Sequence, residues 1–156
     1  MAKITAQEKE RKKAILDAHI YEVFINEGWD ALSYERIAKD FGTRKSSIQR
    51  YYEKRLDFGI ALQGKIFPII VDLLDFTDEA RFIASWVKAL ENQTFREVNK
   101  LLIENATGSG TGGRIGVSKL LNKMQATMSN DEANAALKTC LGESVLFFLN
   151  QSLAEN

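Results

Sequence analysis

The stretch Phe24–Phe58, FINEGWDALSYERIAKDFGTRKSSIQRYYEKRLDF, holds two short amphipathic segments separated by a glycine. Ser33 is placed to cap the first, because its hydroxyl accepts from a backbone N–H that the opening helical turn leaves unpaired. Ile37, Ala38 and Phe41 then form a short inward stripe, and Gly42 stops the helix. The next helix begins after Thr43. Ile48 and Tyr52, one turn apart, face inward and leave Lys45, Ser46, Ser47, Gln49, Arg50 and Tyr51 mostly facing out. A short helix, a glycine turn and a second short helix with a basic, polar outer face is the helix-turn-helix arrangement, in which the second helix enters the DNA major groove. Arg44, Lys45, Gln49 and Arg50 carry donors suited to base edges or phosphates. Ser47, Tyr51, Lys54 and Arg55 suit phosphate oxygens, and Ser33 at the helix entry completes the candidate DNA-contacting set.

Outward from this stretch the periodicity stays helical, and the chain reads as all-α. Leu16, Ile20, Val23 and Phe24 share one buried stripe, and Gly28 falls just past the end of a first helix from about Gln7 to Glu27. A fourth helix is expected from Leu56 to about Leu74, bent at Pro68, whose ring removes a backbone hydrogen bond. Further helices are marked by Phe82, Trp86 and Leu90 and by Phe95, Val98, Leu101 and Leu102. Gly108, Gly110, Gly112, Gly113 and Gly116 then suggest a mobile loop. Two last helices follow, at about Val117–Met128 and Asp131–Leu153. The organisation expected is a three-helix DNA-binding domain over residues 1–55 and a short helical effector and dimerisation domain over residues 56–156.

Composition narrows the function from the other side. The 156 residues are 45% hydrophobic and 27% charged, a globular balance that excludes extensive disorder. Apolar runs such as Ile66–Val71 and Val145–Leu149 are far shorter than a membrane span needs, and the charged N-terminus does not read as a secretory signal, so a cytoplasmic location is expected. Cys140 and His19 each stand alone, which removes a disulfide scaffold, a metal site and most nucleophilic catalytic schemes. No enzyme activity and no cofactor are expected. Cys140 reads as a small hydrophobe in an apolar helix, with redox sensing as the alternative. The glycine-rich segment lacks the ending of a phosphate-binding loop. The zero net charge divides into 12 Lys/Arg against 9 Asp/Glu in residues 1–55, and 9 against 12 in residues 56–156. Two basic clusters account for much of the first excess, one at Arg44–Arg55 and one at Lys9, Arg11, Lys12 and Lys13; either also suits a solvated helix face.

The run from Phe24 to Phe58 resembles the DNA-binding domain of TetR-type (TetR/AcrR) transcriptional regulators. Phe24, Gly28 and Trp29 match the family's end of helix 1, Ser33 with Ile37 and Ala38 its second helix, and Gly42, Lys45, Ser47, Ile48, Tyr51 and Tyr52 its turn and recognition helix. Gln49 stands in place of the usual tyrosine and Tyr51 in place of the usual histidine; both can hydrogen-bond DNA. The resemblance implies a homodimeric regulator, usually a repressor, that grips palindromic double-stranded DNA. It also implies a small-molecule effector, for which Phe58, Leu62, Phe67, Phe82, Trp86 and Phe95 are candidate pocket residues, although their spacing equally suits an ordinary core. It further implies that the last two helices pair with their twofold mates, with Leu120, Leu121, Met124, Leu141, Val145, Phe148 and Leu149 at the interface beside Val117, Ala136 and Cys140. The alternative is a DNA-bound adaptor on the same scaffold, whose C-terminal helices take a protein partner instead of a small molecule.

Overall fold

The computed structural model describes residues 3–108 and 112–154; among them the chain is helical, with no strand. It divides into two compact units, Met1–Gln63 and Gly64–Asn156.

The first unit contains α1 (Ala6–Glu27), α2 (Tyr34–Asp40) and α3 (Lys45–Gln49), with 3-10 turns at Trp29–Ala31 and Arg55–Leu62. Thr5 caps α1 through the Glu8 N–H. Gly28, at φ 92°, ends α1 with its N–H on the Phe24 carbonyl, a conformation that a residue with a side chain reaches only under strain. Between α2 and α3 the chain closes a Schellman turn. Gly42 at φ +61° donates to Lys39, and Thr43 donates to Ala38, so two carbonyls at the end of α2 are satisfied as the chain reverses. Leu16, Ile20, Val23 and Phe24 of α1 are buried with Trp29, Leu32, Ile37, Ala38, Ile48, Tyr52, Phe58, Ala61 and Leu62. Phe41 departs from the expected stripe. It is 38% exposed, and its ring meets His19 edge-on at 5.1 Å, because α2 has already ended at Asp40 and the turn carries the next residue out of the core.

The second unit contains α4 (Phe67–Leu73), α5 (Glu79–Ala89), α6 (Gln93–Thr107), α7 (Gly112–Met124) and α8 (Asn130–Ala154). Asp78 caps α5 through the Arg81 N–H, and Asn92 caps α6 through that of Phe95. α5 packs on α8 and α6 on α7 around Phe82, Trp86, Leu90, Phe95, Met124, Ala133, Ala136, Leu137 and Cys140.

Two expected elements take another form. The single helix of Leu56–Leu74 is instead the 3-10 turn Arg55–Leu62, a break containing Gly64 at φ +78°, and α4. Pro68 sits in the first turn of α4, where its missing N–H costs no hydrogen bond, so it starts a helix and does not bend one. The glycine segment is also shorter as a connection than expected. Gly108 caps α6, whereas Gly112, Gly113 and Gly116 lie inside α7; Gly110 falls outside the described residues. A Cβ on Gly113 would come within 3.0 Å of the Asn105 Cβ and 3.1 Å of the Leu102 Cδ1, so the missing side chain lets α7 approach α6.

Candidate nucleic-acid interface

α3 is only five residues long, too short to hold itself in water, and tertiary anchors fix it. Ile48 and Tyr52 are fully buried beneath it. The Tyr52 hydroxyl donates to the Asp17 carboxylate of α1, which Lys13 approaches at 3.3 Å while standing 5.2 Å from the Tyr52 ring centre. Burial first, then the bond to Asp17, pushes the Tyr52 hydroxyl far above the ordinary tyrosine range, so it remains a proton donor. From α2, the Tyr34 hydroxyl donates to the Tyr52 carbonyl at 2.6 Å, and the Phe58 ring packs against both tyrosines at 5.2 and 5.1 Å. The end of α3 is thus tied to α1, to α2 and to the following 3-10 turn.

The outer side of the same segment is basic and wet. Arg44, Lys45, Gln49, Arg50 and Lys54 are exposed, and Ser47 and Tyr51 are half-buried. Lys45 reaches Glu35 of α2 at 2.8 Å with both side chains largely in solvent, a pairing of little energetic weight that a phosphate can replace. Ser33 is occupied in capping, its hydroxyl accepting from the Arg36 N–H at 3.1 Å. Arg55 differs from its neighbours. Its Nε donates to the Leu32 carbonyl and its Nη2 to the Trp29 carbonyl, each at 2.8 Å, and its guanidinium lies 4.4 Å from the Trp29 ring centre. Here it anchors the link between α1 and α2.

Sequence reasoning missed a second clamp on α2. Arg36 binds Glu27 of α1 through its two terminal guanidinium nitrogens, Nη1 and Nη2, and its Nε donates to Asp40 at 2.9 Å; Asp40 also lies 2.7 Å from His19 of α1. The Arg36 guanidinium holds the Glu27 carboxyl below its usual range, and the hydrogen bond from His19, followed by that from Arg36, does the same for Asp40. The i, i+4 spacing of Arg36 and Asp40 was a readable signal; the reach back to Glu27 and His19 was not.

The residues expected at a pocket and a dimer face are scattered. Phe58 and Leu62 are buried in the first unit, while Phe82, Trp86 and Phe95 pack ring to ring in the second, at 6.0 and 4.9 Å, beside half-buried Phe67. An open cleft of about 660 Å³ in the second unit is lined by other residues, among them Asp72, Leu74, Ser85, Lys88, Glu91 and Asn92. Of the seven interface candidates, Leu120 and Met124 lie in their own unit's core, and Leu121, Leu141 and Phe148 are half-buried. Val145 and Leu149 are exposed, together with Leu146 and Leu153, which reasoning from sequence did not single out. Among the described residues no group of acidic, histidine and cysteine side chains is arranged to hold a metal, and no helix is long and apolar enough to cross a membrane. Burial pushes the Cys140 thiol up to about 12, so it sits in the core as an unreactive small group.

A family model described as the tetracycline repressor LuxT C-terminal domain matches residues 63–148, and no curated protein matches the chain.

Proposed function

Because the chain belongs to the tetracycline-repressor-type transcriptional regulators, we propose that it binds a palindromic operator as a homodimer, with α3 of each subunit in the major groove, and that it represses transcription until a small ligand releases it. The observation that carries this reading is the contrast across α3. Ile48 and Tyr52 are fully buried on one side, while Arg44, Lys45, Gln49 and Arg50 stand exposed on the other, on a helix immobilised at both α1 and α2. A rigid helix bearing amide and guanidinium donors suits recognition of base edges, and the flanking lysines suit phosphates. Pairing is supported by α8, where Val145, Leu146, Leu149 and Leu153 expose an apolar face along one helix, the kind of surface that a second copy covers. A ligand acting through the second unit would carry the release, since that unit holds most of the stretch matched to the family's C-terminal domain.

The test is fluorescence anisotropy on labelled duplexes across a range of salt concentrations. Binding should weaken steeply as salt rises. Gln49→Ala and Arg50→Ala should narrow the gap between preferred and unrelated sequences, whereas Lys54→Ala should weaken binding to both alike. Arg55→Ala should instead destabilise the first unit by about 2 kcal/mol, through loss of charged donors to two backbone carbonyls. A wild-type affinity indifferent to salt would overturn the assignment.

A further inference from the structure

Of the basic cluster at the start of α1, only Lys13 is tied to the rest of the first unit, through Asp17 and the Tyr52 ring. Lys9 and Arg11 are exposed and enter no ion pair with a described residue, and Lys12 makes only a loose, solvated pair with Glu8 at 3.7 Å. Their positions around the helix are unequal. Lys9, Lys13, Leu16 and Ile20 recur at i, i+4, i+7 and i+11, so the lysines continue toward the N-terminus the stripe that Leu16 and Ile20 bury in the core. Lys12 lies one turn from Leu16 on the same side. Arg11, nine residues from Ile20, points about 180° away at roughly 100° per residue. Lys13 fixes where the lysine face lies: it approaches Asp17 at 3.3 Å and stands 5.2 Å from the ring of Tyr52, the residue that follows Arg50 and Tyr51 out of α3. The first turns of α1 therefore flank the end of the recognition helix, with Lys9 on its side, Lys12 at the edge of that face about 100° from Lys13, and Arg11 on the far side.

We propose that Lys9 and Lys12 form a second phosphate-binding surface, which grips the DNA backbone bordering the groove that α3 enters. This rests on the DNA-binding reading of α3 and extends it. The surface reads no bases. It adds counterion release and fixes how deeply α3 sits, which are the roles of phosphate contacts. Lys13 acts through Tyr52 and Asp17 as a positioning residue.

The experiment compares K9Q, K12Q and the double variant with R11Q, which removes the same charge from the face opposite Lys9. The probe is a duplex selected by the wild-type protein from a random-sequence pool, and circular dichroism checks that all four variants keep their helix content. In K9Q, K12Q and the double variant, the slope of log Kobs against log salt should become shallower by about 0.9 for each phosphate that is no longer neutralised, with the preference among sequences unchanged. R11Q should keep the wild-type slope. Equal slopes in wild type, K9Q and K12Q, or a loss in R11Q as large as in the others, would overturn the proposal while leaving α3 recognition intact. Failure of the wild-type protein to select or bind any duplex would overturn both.

Discussion

Tyr52 shows what single residues contribute here and how far they can be read. Its inward position follows from the four-residue spacing to Ile48, but its bond to Asp17 joins residues 35 apart and depends on how α1 crosses the turn, which no local pattern encodes. Arg55 is the converse. A basic residue beside a recognition helix reads as a phosphate contact, yet its guanidinium is occupied by two carbonyls and the Trp29 ring, because the chain returns past Leu32 at that point. The Arg36 clamp carries a prediction at this scale. Glu27 and Asp40 both have pKa values lowered in the folded state, so their stabilisation is fully present above the ordinary carboxylate range and is lost as pH falls through the depressed folded values. The thermal midpoint of the first unit should therefore drop as pH is taken below about 4, and Arg36→Ala should flatten that dependence. Parallel curves for the variant and wild type, followed by circular dichroism, would show that the clamp does not act in the folded balance.

Among elements, those with a strong cap and a clear stripe were legible. α1, α2 and the positions of α5 and α6 follow from periodicity, and α2 also from Ser33 as its cap; the caps Asp78 and Asn92 emerge only in the structure. Pro68 was ambiguous because a proline in an apolar run marks either a kink or a helix start, and Gly64 at positive φ decides for the start. The glycines of α7 misled for a similar reason: entropy argues for a loop, while close approach to α6 at Gly113 argues for a helix, and only packing arbitrates. The apolar character of α8 is plain in the sequence, but its division into two faces was not legible. Ala133, Ala136, Leu137 and Cys140 turn inward and Val145, Leu146, Leu149 and Leu153 outward.

The inward face of α8 also holds a polar relay. The Trp86 Nε1–H donates to Ser144 Oγ at 2.8 Å, Ser144 donates to Asn99 Oδ1 at 2.8 Å, and Asn99 donates to the Phe95 carbonyl at 2.8 Å, all buried. The relay links α5, α8 and α6, and every member is satisfied. Ser144→Ala would leave a buried donor on Trp86 and a buried acceptor on Asn99 without partners, at a cost on the order of 3 kcal/mol. Urea unfolding should show that loss in the second unit; an unchanged midpoint would mean that the relay is not what holds the three helices in register.

At the scale of the whole molecule, the sequence separates a basic first third from an acidic remainder, and the fold separates a first unit with an exposed basic helix from a second with an exposed apolar face on α8. Both features serve operator binding in the proposed dimer. In that dimer α3 would read a half-site, and α8 would pair the two readers by twofold symmetry. The chain must then prefer DNA that carries the same symmetry, with half-sites separated by about 34–36 Å, one turn of the duplex, or a multiple of it. Selection of bound duplexes from a random-sequence pool by the wild-type protein measures this directly. Enrichment of an inverted repeat with that spacing is the expected result. An unenriched pool, or a single asymmetric motif without a repeat, would contradict it.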